Sequence, residues 1–359
     1  MGKSIQNAPC MFGAGFMLEQ LQNLRTEING ALDGRDIEYI HRMRVASRRL
    51  RNGMQCFKDC LPKKRSKPWR DEIRHVTHAL GNARDLDIQI DCINQLYDES
   101  LETTYKSGYR RVLLRLKQRR SKAQEKVART LKKLQQSDLL SEMQSRLEKL
   151  TVHADNTYLF TPSLYQRAFQ NINQNLADFL SYQEDIRDPD KVAQLHAMRI
   201  AGKHLRYTIE IFSPIYDKAL LSYIQVMKDI QDQLGMIHDD DVWINWLPKF
   251  IQEEQERVED YFGNNGPLKR LLPGINYLIE NRQKHRDETY QSFIATWDTL
   301  QCEDAWESLK EIIRAPINVE AVIENLPDDE DEGEIREETT ETIQEKSLST
   351  EDPLSNIQS

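Results

Sequence analysis

An eleven-residue segment, His41-Arg-Met-Arg-Val-Ala-Ser-Arg-Arg-Leu-Arg51, recurs 155 residues later as His196-Ala-Met-Arg-Ile-Ala-Gly-Lys-His-Leu-Arg206, with seven positions identical or exchanged between Lys and Arg. A second pair follows at an offset of 154: Leu80-Gly-Asn-Ala-Arg-Asp-Leu-Asp87 and Leu234-Gly-Met-Ile-His-Asp-Asp-Asp241. Two matched segments in the same order at nearly equal offsets mark an internal duplication. Any fold proposed for this chain must therefore be one that can be built twice.

The first motif reads as an amphipathic helix. At 3.6 residues per turn, His41, Arg44, Arg48 and Arg51 fall within about 80° of one another, and Met43, Ala46, Leu50, Met54 and Phe57 take the opposite side. The copy behaves identically, with His196, Arg199, Lys203 and Arg206 in front and Met198, Ala201, Leu205, Ile209 and Phe212 behind. The apolar stripe explains folding, but the uniformly cationic one does not. A merely solvated face gains about 0.2–0.5 kcal/mol per pair by placing Glu four residues from Lys, and loses a similar amount by stacking like charges. An anion lying across the stripes removes that conflict. Arg74 and Lys228 occupy matching positions in the helices before the two Leu-Gly motifs and extend the set.

Apolar residues recur at three- and four-residue steps through most of the chain and strand-like alternation is nearly absent, so the fold class is all-α. Helices are expected over 15–31, 36–60, 68–83, 85–99, 103–136 and 139–150, then from near Ser163 and over 190–212, 218–234, 239–263, 274–301 and 305–314. This spacing predicts one helical domain over 15–314, made of repeats at about 15–150 and 163–314 joined through 151–162. Asp85, Asp87, Asp239 and Asp241 are read as helix N-caps or first-turn acids, with a charge-assisted hydrogen bond to a stripe Arg or His as the alternative role.

The formal charge of -9 over 359 residues hides a strong asymmetry. Residues 327–359 hold twelve acidic and two basic side chains, so the rest of the chain is close to neutral, at +1. Within it, 104–150 carries fourteen Lys and Arg against four Asp and Glu. That cationic wall favours an anionic partner. Residues 327–359 have too little apolar content to fold alone, are expected to be disordered, and could compete for a basic cavity as a tethered polyanion. No apolar stretch approaches the roughly 20 residues of a membrane span and no signal peptide is legible at the start, so a cytoplasmic, non-membrane protein is expected. Five scattered cysteines, Cys10, Cys56, Cys60, Cys92 and Cys302, point to reduced thiols, with Cys56 and Cys60 on one helical face. No Gly-rich phosphate loop, nucleophile motif or zinc pattern occurs, and neither catalytic residues, a metal nor a cofactor is expected.

The His-x-Met-Arg-Val-Ala-x-Arg-Arg-Leu-Arg segment, the later Leu-Gly-Asn-Ala-Arg-Asp-Leu-Asp, and their recurrence in a second half resemble the conserved histidine α-helical domain, the CHAD family. The resemblance implies two four-helix-bundle-like units related by a pseudo-two-fold axis, with a basic cavity between them that binds inorganic polyphosphate without catalysis. It also implies association with polyphosphate granules. Carried over residue by residue, the binding set is His41, Arg44, Arg48, Arg51, Arg74, His196, Arg199, Lys203, Arg206 and Lys228. Arg84, Arg115, Arg119, Lys122, Arg282 and Arg286 form an outlying set. The second copy departs in carrying His238 for Arg84 and His204 for Arg49, which implies weaker or more pH-dependent binding there. The competing readings are an RNA- or DNA-binding helical protein, supported by 104–150 but lacking aromatics interleaved with the basic stripes, and a metal-dependent phosphohydrolase built on His238-Asp239.

Overall fold

The computed structural model describes residues 8–151 and 160–324, without side chains from 318 on. Both the expected tail over 327–359 and most of the expected join over 151–162 lie outside these residues. The described residues form eleven α-helices and no strand: α1 (Ala8–Thr26), α2 (Ile28–Asp33), α3 (Ile37–Cys56), α4 (Lys63–Glu99), α5 (Thr103–Gln136), α6 (Leu139–Thr151), α7 (Pro162–Leu180), α8 (Val192–Phe212), α9 (Leu221–Phe262), α10 (Leu272–Cys302) and α11 (Ala305–Glu324). Residues up to Ile317 belong to one compact unit, and 318 onward to another.

Local chemistry sets several helix ends. Asp36 accepts the Glu38 N–H at 2.8 Å to open α3, while Thr161 caps α7 ahead of Pro162, whose missing N–H costs nothing in the first turn. Gly34 and Gly263 close α2 and α9 in the left-handed conformation that glycine adopts without a Cβ penalty.

The Leu-Gly motifs do not end helices. α4 runs for 37 residues through Gly81 and Asp85, and α9 for 42 residues through Gly235 and Asp239. The expected breaks near 84 and 235–238 are therefore corrected, and with them the N-cap reading of the four Asp residues. Glycine inside a helix costs about 1 kcal/mol. The buried apolar run on either side, Ile73, Val76, Leu80 and Ala83 in α4 and Met227, Ile230, Leu234 and Ile237 in α9, outweighs that cost.

Two cores result. The larger one joins α3 and α8 with the first parts of α4 and α9 and with α1, α6, α7 and α11 around them. The smaller one lies where the far ends of the α4–α5 and α9–α10 hairpins meet, around Ile93, Tyr109, Leu116, Trp243, Leu247, Phe250 and Ile275. At that meeting, Gly108 and Gly274 let α5 and α10 touch backbone to backbone. A Cβ on Gly108 would sit 2.6 Å from the Leu271 carbonyl oxygen, and one on Gly274 would run into the Tyr105 carbonyl. Gly274→Ala is expected to cost about 1–3 kcal/mol by overpacking and to lower the thermal midpoint. Gly15→Ala in α1, where a Cβ meets nothing within 4 Å, should instead leave the midpoint unchanged or slightly raised. Paired melts of the two variants check this.

The expectation of five free thiols is also corrected. Cys10 and Cys60 form a disulfide, their Cα atoms 5.3 Å apart, because the start of α1 packs against the turn after α3. Since α3 ends at Cys56, Cys60 falls in that turn and the two do not share a helical face. Cys56 is buried, and desolvation pushes its thiol up to about 11, which makes it unreactive at neutral pH.

Candidate anion-binding site

The two motif helices pack on each other, and equivalent residues of the two halves meet. Phe57 and Phe212, 155 positions apart, stand 5.6 Å apart by ring centres in the larger core. In a two-fold packing a residue faces its own copy only close to the axis. The same geometry acts on the charged face of each helix. Arg44 feels Arg199, and Lys203 feels Arg199, Arg48 and Arg44, so the cations of one stripe are brought against those of the other.

The electrostatic consequence is large. Desolvation and the charge of Arg48 lower Arg44 to about 10. Desolvation, then Arg199, Arg48 and Arg44, lower Lys203 to about 7. Arg51 is lowered by desolvation and by Arg74, and Arg199 mainly by desolvation. Burial is the largest cause in each case, and the neighbouring cations add to it because few acids stand close enough to offset them.

The Leu-Gly-x-x-x-Asp segments have a shared role in this arrangement. A Cβ built on Gly81 would lie 3.5 Å from Arg44 Nε, and one on Gly235 would lie 3.8 Å from Arg199 Nε. Each stripe arginine thus rests against bare helix backbone. One turn further along, Asp85 accepts a hydrogen bond from Arg44 at 3.3 Å, and Asp239 acts electrostatically on Arg199. Asp85 thus orients Arg44, the alternative role read from the sequence, while Asp239 acts on Arg199 through its charge. Asp87 and Asp241 have moved off the stripe and bind Arg120 and Arg286, each at 2.6 Å.

A cavity of about 770 Å³ opens beside the cluster. From the expected set it is lined by Arg48, Arg51, Arg74 and Lys203. It also exposes Lys67 and Arg70 at the start of α4, together with Asn52, Gln55, Asn175, His204 and Tyr207. Lys67 and Arg70 were missed because they fall between the two repeated motifs; their signal was the basic run from Lys63 to Arg70. Arg44 and Arg199 do not line the cavity. Arg206 pairs with Glu210 at 3.3 Å and lies over the Tyr207 ring, while Arg49 crosses from α3 to the same carboxylate at 2.8 Å. Lys228 is exposed on α9 and does not line the cavity. Arg74 also pairs with Asp71 at 3.3 Å.

Of the motif histidines only His204 lines this cavity; His41, His196 and His238 do not. His196 and His238 face each other with their Nδ1 atoms 3.0 Å apart, in a neighbouring cavity of about 580 Å³. Desolvation, then Arg199 and His196, push His238 down to about 4, and desolvation with nearby cations lowers His41, His196 and His204 as well. They are neutral at pH 7 and gain charge only below the usual histidine range. Among the described residues no group of three or more His, Cys, Asp or Glu is placed to hold a metal ion.

The outlying set divides. Arg84 reaches Glu38 at 3.5 Å beside His41. Arg115 binds Glu254, a fully buried carboxylate of α9, at 2.5 Å, and lines a separate cavity with Arg119 and Lys122. Arg282 is held by Asp240 at 3.4 Å, and Arg286, buried, donates to Asp241 and to the Pro189 carbonyl. These last two make internal ties between α9 and α10 or the segment before α8.

Comparison with known proteins identifies the fold. The fold is similar to the crystal structure of the CHAD domain from the plant Ricinus communis, at 19% identity and a TM-score of 0.51, covering 86% of this chain and 91% of that one. It is also similar to PptA from Streptomyces chartreusis, at 15% identity and a TM-score of 0.50, covering 81% and 99%. No curated protein matches the sequence. No helix among the described residues is long and apolar enough to cross a membrane. The family model described as the CHAD domain matches residues 16–248, about two thirds of the chain, and with the all-α architecture this shows that the chain belongs to the CHAD domain family.

Proposed function

We propose that residues 15–314 form one duplicated domain that binds inorganic polyphosphate without chemical turnover, in the cavity beside the α3–α8 contact. The observation that carries this reading is geometric: Arg48, Arg51, Arg74, Lys203, Lys67 and Arg70 line one cavity, and burial together with neighbouring cations lowers Arg44, Arg51, Arg199 and Lys203 around it. The fold crowds like charges at a half-enclosed place and supplies few acids to offset them. A linear polyanion offsets them, and its repeated oxygens suit Arg forks and a Lys point charge without any base to be read. The binding set is Arg48, Arg51, Arg74 and Lys203 with Lys67 and Arg70; Arg44 and Arg199 contribute field without lining the cavity. In this reading the protein partitions with polyphosphate granules in the cytoplasm.

The test is calorimetric titration of long-chain polyphosphate at several salt concentrations. Counterion release gives a slope of about -0.7 per phosphate contact for a single-stranded polyanion, so about six cations should produce a logarithmic slope near -4. Affinity indifferent to salt would overturn the proposal. Competition by unstructured RNA at equal charge favours the nucleic-acid reading if RNA displaces polyphosphate completely.

A further inference from the structure

The basic face of α5 is not used up by the central cavity. Arg111 and Arg115 donate to Glu254 at 2.8 and 2.5 Å, and Arg257 donates to the same carboxylate at 2.7 Å. Three guanidiniums therefore share one fully buried acid, and Glu253, bound by Arg257 at 2.9 Å, offsets only part of the excess. Farther along α5, Arg119 and Lys122 are exposed and have no acidic partner among the described residues. With Arg115, Gln118, Glu253 and Arg257 they surround a cavity of about 270 Å³.

The wall of this cavity is aromatic. Trp246 borders it, with the Arg119 guanidinium 5.1 Å from the ring centre. Phe250 and Trp243 lie 5.0 and 5.5 Å from Trp246, so the indole is held by its neighbours. Trp246 also borders the neighbouring cavity that contains Asn245 and Lys249. The sequence argument against base recognition was the absence of aromatics among the basic stripes. Folding removes that objection here, because Trp246 comes from α9, 127 positions after Arg119.

The mixture of groups selects among anions. An inorganic chain offers only acceptor oxygens, which Glu253 repels and Trp246 does not recognise. A nucleoside phosphate offers phosphate oxygens to Arg119 and Lys122, a flat ring to Trp246, and N–H or hydroxyl donors to the Glu253 carboxylate. We propose that the α5–α9 cavity binds a nucleoside phosphate, its phosphates on Arg119 and Lys122 and its base against Trp246. This site is separate from the central cavity and does not depend on the polyphosphate reading.

The test uses the full chain and calorimetry with ATP, with tripolyphosphate as the base-free control and adenosine as the phosphate-free control. ATP should bind at least tenfold more tightly than either control. Trp246→Leu should bring ATP down to the level of tripolyphosphate, Trp246→Phe should retain most of the preference, and Arg119→Gln with Lys122→Gln should weaken ATP tenfold or more. Arg48→Gln with Lys203→Met, in the central cavity, should change ATP affinity less than twofold while polyphosphate binding falls. The proposal is overturned if ATP does not bind, if tripolyphosphate binds as well as ATP, or if ATP affinity follows Arg48 and Lys203 instead of Trp246.

Discussion

Replacing Lys203 by Met and Arg48 by Gln together is expected to weaken polyphosphate binding by a hundredfold or more and to raise the melting temperature of the ligand-free protein. Both effects have the same cause. Each charge-assisted hydrogen bond to a polyanion is worth about 1.5–3 kcal/mol, so two lost contacts amount to about 3–6 kcal/mol, and the low end applies at a solvated cavity. Without ligand, Arg48 repels Arg44 and Arg51 along α3 and Arg199 across the α3–α8 contact, Lys203 meets Arg199, Arg48 and Arg44, and removing both charges relieves that repulsion. Stability and binding should move in opposite directions, as at sites that hold unfavourable charge for function. Calorimetric titration and thermal melts of one preparation measure both. A variant that melts lower while binding normally would refute the assignment. Lys228→Gln, at an exposed position outside the cavity, should change affinity less than twofold.

Polyphosphate binding is expected to take up a proton and to weaken as pH rises above about 7. Lys203 is lowered to about 7 in the free protein by desolvation and by Arg199, Arg48 and Arg44, with Asp85 the acid that opposes them. A bound polyanion adds negative charge beside the amine and raises its proton affinity again. Between pH 7 and the bound-state value, complex formation must therefore protonate Lys203, and apparent affinity falls by up to tenfold per pH unit. Below pH 7 the amine is already charged and its contribution to the slope ends. His41, His196, His204 and His238, all lowered, add charge only at still lower pH. Ligand-free stability has the opposite slope. Between pH 7 and the ordinary lysine range the unfolded chain holds more protons at this position than the fold does, so stability rises with pH across that window. Titrations in buffers of different ionisation enthalpy count the protons taken up. A Lys203→Met variant that keeps the same slope would assign it to another group.

The histidines show why the motif's spelling is a poor guide to its chemistry. His41 and His196 begin the two stripes and align with the arginines on a helical wheel. In the fold His196 turns toward His238 in a separate cavity, and neither first-position histidine lines the central one. Helical phase places a residue on a face, but which part of that face meets a cavity depends on how the neighbouring helix crosses it. Lys67 and Arg70 illustrate the reverse case. They lie between the two matched motifs of the first repeat, and only the packing of the start of α4 against α3 brings them to the cavity.

The sequence by itself determined the helical class, the duplication and the pairing of a cationic with an apolar stripe, because these depend on residue spacing along one helix. It also determined that each half would carry a run of cations along one helix face. The tertiary structure alone decided that the two stripes meet, since a two-fold packing brings Arg48 to Lys203 and Phe57 to Phe212, and buries Lys203 among like charges. It alone decided that α4 and α9 run unbroken through Gly81 and Gly235, because burial along their whole length exceeds the local cost of glycine. Trp246 beside Arg119 and the Cys10–Cys60 disulfide belong to the same class. Each joins residues far apart in the chain, and contacts of that kind exist only once the helices have packed.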